Sequence, residues 1–294
     1  MLGGMTRGES WIRVRRPLRD GLSVVGLVGL AILLVNPDAH GQDAHAYWAF
    51  DPADPYALSH GTVTARDAFL YSPAISQLFV PVHALPWPVF ITGWTLLLAG
   101  AVIWLGRSWG LALIGLYPVL LELSYGNISL LLGVAIVLGF RRPGLWALVL
   151  LTKVTPGIGL FWFVLRGEWR ALVEVVAVTA VAIIASALFA PHLWPKWIDL
   201  LAESATLADP GAFGFVPRWL RYLLALGVVA WAAATNRRWL VPVAAGLATP
   251  VSWLFAPIML GAIPLWREQA REERSPPIEP AGAPAPSRAD GAAR

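Results

Sequence analysis

The sequence predicts an all-α fold: a polytopic membrane helix bundle with broken or re-entrant helices and loops on its outer face. Three observations lead there. Apolar residues make up 57% of the 294 and charged ones 14%, at a mean hydropathy of +0.63, so there is too little charge to clothe a soluble domain of this length. The apolar residues come in repeated runs, several long enough, at ~18 residues or more, to cross a bilayer. The runs lack the alternation of a barrel strand, and a backbone in lipid must satisfy its own hydrogen bonds, so the spans are helices. The net charge of +4 does not point to nucleic acid, because the basic residues sit in short clusters at the ends of apolar runs. The absence of cysteine excludes disulfides and thiolate metal sites.

Arg7, Arg13, Arg15, Arg16 and Arg19 precede the first run and put residues 1–20 in the cytoplasm. This basic start resembles a signal peptide, but no small-residue cleavage site follows Leu34, so about Pro17 to Val35 is read as a retained span. The polytopic domain is 21–266. Its first outer loop, 36–70, carries Asp38, Asp43, Asp51, Asp54 and Asp67, with His40, His45, His60 and Arg66, a polar segment out of character with the rest. Tyr47, Trp48 and Phe50 predict a short interfacial helix around 44–50. Tyr71 to Pro86 is apolar but broken by three prolines, which suits a lead-in to the span Pro88–Leu105.

Gly110–Leu121 runs outward and Ile128–Phe140 returns to Arg141-Arg142. Legs of ~12 residues fall short of a full crossing, which places the Glu122-to-Asn127 corner in a cavity below the outer surface. Leu145–Leu165 is interrupted at Lys153-Val154-Thr155-Pro156 and flanked at both ends by arginines. A hairpin with Lys153 at its tip fits that bias better than a full span. Leu172–Ala190 goes outward, 191–217 is a second outer loop, and Trp219–Ala234 returns to Arg237-Arg238. Leu240–Trp266, split at Thr249-Pro250-Val251-Ser252-Trp253, is a second hairpin with an outer corner. Residues 267–294 form a cytoplasmic tail, disordered by composition.

Asp43 leads the catalytic candidates. A carboxylate just past a span, near His45 and Tyr47, suits a general base toward a hydroxyl, although a solvated loop aspartate is the commoner case. Asp54, before Pro55-Tyr56, reads as a turn former. Lys153 comes next, since an ammonium in an apolar stretch costs ~2.5–3.5 kcal/mol on insertion scales. It is kept either for an anion such as a lipid phosphate or as a structural partner for Glu122. Arg218 and Arg221 would hold a phosphate or anchor at the interface. Asn127, Ser252 and Trp253 lie at helix breaks, which survive at membrane depth only where they line protein or a wet cavity. Most of the 16 tryptophans read as interfacial belt residues. No phosphate-binding glycine loop, dinucleotide fingerprint or zinc-helix motif is present, so no metal and no cofactor is expected.

The order of these features resembles the membrane-embedded GT-C glycosyltransferases, and most of all glycosyltransferase family 87, the polyprenyl-phosphate-mannose-dependent α-mannosyltransferases. The likeness rests on Asp43 with Tyr47 four residues on, Asp54-Pro55-Tyr56, Tyr71-Ser72-Pro73, Gly126-Asn127, Lys153-Val154-Thr155-Pro156 and Thr249-Pro250-Val251-Ser252-Trp253. It implies an inverting, metal-independent membrane hexosyltransferase. A hexose, mannose in that family, moves from a polyprenyl-phosphate donor to a lipid or glycan acceptor at the extracytoplasmic face of the plasma membrane. Asp43 takes the role of general base, and Lys153, Tyr47, Asp54, Tyr56, Tyr71, Asn127, Arg218, Ser252 and Trp253 bind donor phosphate and sugar. Asn127 stands where the family more often has Gln, and Leu254-Phe255 where it has His, which leaves an inactive member as one alternative. A lipid or polyol transporter or flippase is the other, because broken helices and an intramembrane lysine also suit a transport path.

Overall fold

The computed structural model describes residues 7–61, 65–207, 215–249 and 257–274, with side chains from Arg15 on. Among them there is no strand. The helices are α1 (Arg7–Val35), α2 (Gln42–Ala49), α3 (Pro73–Phe79), α4 (Trp87–Gly106), α5 (Gly110–Ile114), α6 (Tyr117–Tyr125), α7 (Ser129–Gly139), α8 (Trp146–Thr152), α9 (Phe161–Leu165), α10 (Trp169–Phe189), α11 (Leu193–Thr206), α12 (Arg218–Ala234), α13 (Leu240–Leu247) and α14 (Ala262–Glu272). Several start where a proline falls in the first turn, at Pro73, Pro88 and Pro118, the one place its missing N–H costs nothing.

Three segments are long and apolar enough to cross a membrane: Arg15–Val35, the stretch Trp87–Ile114 that begins with α4, and α10. Within the second, Arg107 at φ 55° turns the chain back, so closely that a Cβ on Gly110 would lie 2.4 Å from Ile103 Cα. Helix α5 then climbs beside α1. A Cβ on Gly26 would meet Leu111 O at 2.4 Å, and one on Gly115 would meet Leu22 O at 2.1 Å, the close approach that small residues allow between membrane helices. The outward leg expected over Gly110–Leu121 is broken at Gly115-Leu116. Helices α6 and α7 then meet at 105° around Gly126, whose φ of 71° closes α6 in the left-handed conformation glycine tolerates.

The segment holding Lys153 is a hairpin. A Cβ on Gly157 would touch the Leu150 side chain, and one on Gly159 the Trp146 ring, each at 2.5 Å, so the second leg retraces the first. Helix α10 runs alongside it. Gly144 N–H donates to Glu174 Oε1 at 2.9 Å at one end, and Gln77 Nε2 donates to Ser186 O at 3.1 Å at the other. The 257–261 turn packs back along α13, with Gly261 against Pro242, as a second hairpin requires. Helix α14 continues to Glu272, beyond the Trp266 at which the apolar pattern ends. Of the expected tail, 267–294, the first residues belong to α14, and 275–294 lie outside the described residues.

The basic clusters share one end of the bundle. Arg15 lies over the Trp109 ring at 5.9 Å, Arg141 pairs with Glu268, Arg238 approaches Glu272 at 3.8 Å, and Arg166 donates to Ala233 O at 3.2 Å. The opposite end carries α2, the loop to α3, and the amphipathic α11. That helix is tied to the loop by Lys196 Nζ on Asp54 Oδ2 at 2.6 Å, Glu203 Oε2 with His60 Nδ1 at 2.7 Å, and Trp197 Nε1 on Leu70 O at 3.2 Å. Trp94, Trp146, Trp162 and Trp197 are buried, and Trp94 packs edge-to-face on Tyr47 and Phe79 and stacks on Phe90, with Tyr71 tilted against Tyr47. Such pairs add ~0.5–1.5 kcal/mol each beyond the area they bury.

Candidate active site

Helix α2 brings Asp43 to the site. Its first residue follows Gly41, whose φ is 86° and whose N–H donates to Ser124 O at 2.6 Å, so the start of α2 is fixed to the end of α6. Spacing of three and four residues puts Asp43, Ala46 and Tyr47 on one helical face. That face lines a cavity of about 460 Å³.

Across the cavity the Gly126 corner is held tightly. Trp94 Nε1 donates to Gly126 O at 2.7 Å, and a Cβ on Gly126 would sit 2.6 Å from Ala44 Cβ. The next residue, Asn127, connects the charged groups. Its Nδ2 donates to Asp43 Oδ2 at 2.5 Å. Its Oδ1 accepts from Lys153 Nζ at 3.0 Å, from Ser129 N–H at 3.0 Å and from Ser129 Oγ–H at 2.7 Å. Lys153 also donates to Ser129 Oγ at 2.8 Å, which leaves one of its three N–H groups for the cavity. Lys153 and Glu122 form no ion pair within 4 Å, although each charge acts on the other. Burial pushes the Asp43 carboxyl above its ordinary value, against the Asn127 hydrogen bond and the Lys153 charge, which pull it down.

Six of the residues expected at a site converge here: Asp43, Tyr47, Tyr71, Asn127, Lys153 and Arg218 all line the cavity. The Tyr47 and Tyr71 hydroxyls are 2.9 Å apart. Arg218 donates through Nη1 to Ala205 O at 3.0 Å, while its buried Nε has no partner among the described residues. Asp54 and Tyr56 stand behind the wall instead. Asp54 holds Lys196 of α11, and Tyr56, at 0% exposure, donates its hydroxyl to Tyr71 O at 3.0 Å. Arg221 is buried and donates to Thr249 O at 3.0 Å. Ser252 and Trp253 lie outside the described residues; Thr249 and Pro257, on either side, line the cavity.

Other lining groups were not foreseen. Ser129 follows Asn127 by two residues and completes its hydrogen bonds. Arg66, with no hydrogen-bond or ion-pair partner among the described residues, and Tyr222 also face the space. The histidines disperse. His40 bonds Asn36 O and Thr95 Oγ1, and His45 bonds Asp67 Oδ1. No three His, Asp or Glu converge among the described residues.

The arrangement offers a carboxylate able to take a proton, cations able to hold an anion, and a cleft with mixed polar and apolar walls. The family model of glycosyltransferase family 87 matches residues 69–274, more than half of the chain, starting after Asp43. No curated protein and no solved structure matches the chain.

Proposed function

The chain belongs to glycosyltransferase family 87 and is a membrane glycosyltransferase; from that premise we propose that it moves a hexose, mannose as the leading candidate, from a polyprenyl-phosphate donor to a hydroxyl of a lipid or glycan acceptor. The observation that supports this most is the row Asp43–Asn127–Lys153, hydrogen-bonded across one cavity. It puts a proton acceptor and a phosphate-sized cation within one side chain of each other.

In this reading the acceptor O–H gives its proton to Asp43 as its oxygen bonds to C1 of the sugar. The C1–O bond to phosphate breaks on the opposite face, and the electron pair leaves on the polyprenyl phosphate. Attack from the far side inverts C1. The charge on the departing phosphate is met by the free N–H of Lys153 and by Arg218, whose unpartnered Nε lacks the acceptor a phosphate oxygen would supply. Tyr47, Tyr71 and Asn127 shape the sugar pocket, while Asp54 and Tyr56 support it from behind. Ser252 and Trp253 are proposed to add sugar contacts from the segment between Thr249 and Pro257. The basic end faces the cytoplasm by the bias that keeps Lys and Arg inside, so the cavity opens extracytoplasmically, at the plasma membrane.

The test is transfer in vesicles carrying the full chain, a short-chain polyprenyl-phosphate mannose and a membrane lipid extract. Asp43→Asn should lower turnover by about 10²–10⁴-fold, the usual worth of a positioned base, with donor binding nearly unchanged. Full transfer by Asp43→Asn, or movement of labelled lipid across the vesicle with no glycosidic bond formed, would overturn the reading.

A further inference from the structure

We propose that Glu122 is a specificity-determining residue, its carboxylate accepting one ring hydroxyl of the sugar being transferred. This rests on the transferase reading and extends it to which sugar the cavity admits.

Glu122 stands three residues before Tyr125 on α6, and both side chains line the cavity. The other face of α6 is committed to α1, where Leu120 covers Gly29. Glu122 is 9% exposed, and its Oε1 has no hydrogen-bond partner among the described residues. A buried carboxylate oxygen left unpaired costs more than an ordinary hydrogen bond returns.

The neighbours do not remove that cost. The Lys153 charge acts on Glu122, but two of its N–H groups are directed at Asn127 Oδ1 and Ser129 Oγ. The Ser129 hydroxyl lies within hydrogen-bonding reach of the Glu122 carboxyl group, but its single proton is directed at Asn127 Oδ1 at 2.7 Å, so Oε1 keeps no partner among the described residues. The missing donor therefore comes from the cavity. Of the parts of a lipid-phosphate sugar, the phosphate offers acceptors only, which leave an acceptor oxygen such as Oε1 unpaired. The prenyl chain offers neither donor nor acceptor. The sugar is dense in O–H donors. The cavity is thus sorted by charge: Lys153 and Arg218 toward the phosphate, Asp43 toward the attacking hydroxyl, Glu122 toward the ring. A site built to receive a hydroxyl rejects an analogue without it more strongly than an apolar pocket rejects an added group.

The experiment uses the full chain in lipid nanodiscs. Short-chain polyprenyl-phosphate mannose, glucose and galactose are titrated by calorimetry without acceptor, followed by singly deoxygenated forms of whichever binds best. In the native protein one deoxygenated form should bind roughly ten- to a hundredfold more weakly than its parent. Glu122→Ala should lose the same factor for the parent and no longer distinguish that one form, while the other deoxygenated forms keep their order. In transfer assays KM should rise more than kcat falls. Glu122→Gln, which keeps an acceptor oxygen, should lie between; it carries the test alone if Glu122→Ala does not fold, and unchanged affinity for every form then overturns the inference. An equal loss for every form in Glu122→Ala, or a loss of thermal stability alone, also overturns it while leaving the transferase reading intact. Failure of the native protein to bind any of the three sugars overturns both.

Discussion

Asp43 sits between opposing influences, and its titration should show them. Burial holds its carboxyl above the ordinary value of ~3.9, while the Asn127 hydrogen bond and the Lys153 charge act downward. A general base works ionised. Transfer should therefore rise with pH through a midpoint above the ordinary carboxylate value and level off beyond it. Asn127→Ala removes a downward influence, so its midpoint should move to higher pH in a profile of kcat/KM; a shift to lower pH would contradict this account of the site. Asp43 and Lys153 were legible in the sequence because a charge in an apolar chain is costly and so asks for a reason. Arg66 and Ser129 were not, since neither residue type nor spacing says that a loop arginine or a helix-start serine turns toward a cavity. Asp54 and Tyr56 were legible as a motif, but a motif does not say whether its side chains face the ligand or the wall behind it. Here one holds Lys196 and the other Tyr71 O.

At the scale of elements, the packing that fixes the site begins far from it. Helix α1 lies against α5 through Gly26 and Gly115, where backbones approach too closely for any side chain. Gly26→Leu should push α1 off α5 and destabilise the bundle by about 1–3 kcal/mol, the usual cost of overpacking. Thermal unfolding in detergent measures this, and the same substitution at Gly93, where nothing lies within 4 Å of an added Cβ, should leave the midpoint nearly unchanged. The start of α4 could be read from Pro88, and the Lys153 hairpin from arginines on both of its flanks, because those signals are local or set by the membrane. The break at Gly115-Leu116 could not be read. It answers to the Leu22 carbonyl, a contact between segments nearly a hundred residues apart that leaves no mark on local composition.

The whole molecule divides into a basic end and a loop end, and hydropathy with arginine placement was enough to predict that division. How the loop end closes was not legible, since α11 is tied down by the side chains of Asp54 and His60 and the backbone carbonyl of Leu70, ordinary groups whose partners lie far along the chain. The position of the Gly126 corner has a further consequence. Trp94, whose indole holds that corner, is about 10 Å along α4 from Trp87 at ~1.5 Å per residue, so the pit floor lies about two helical turns in from the start of α4. Helix α4, at 20 residues, matches a hydrocarbon slab of ~30 Å. In phosphatidylcholine vesicles of graded acyl length, turnover should peak near that match. It should fall in thicker membranes, where the rim is drawn under, and in thinner ones, where the helices tilt; a flat profile would show that the rim does not feel the slab. Lipid thickness, a property of the host membrane rather than of the enzyme, would then set how readily a sugar reaches the acid below.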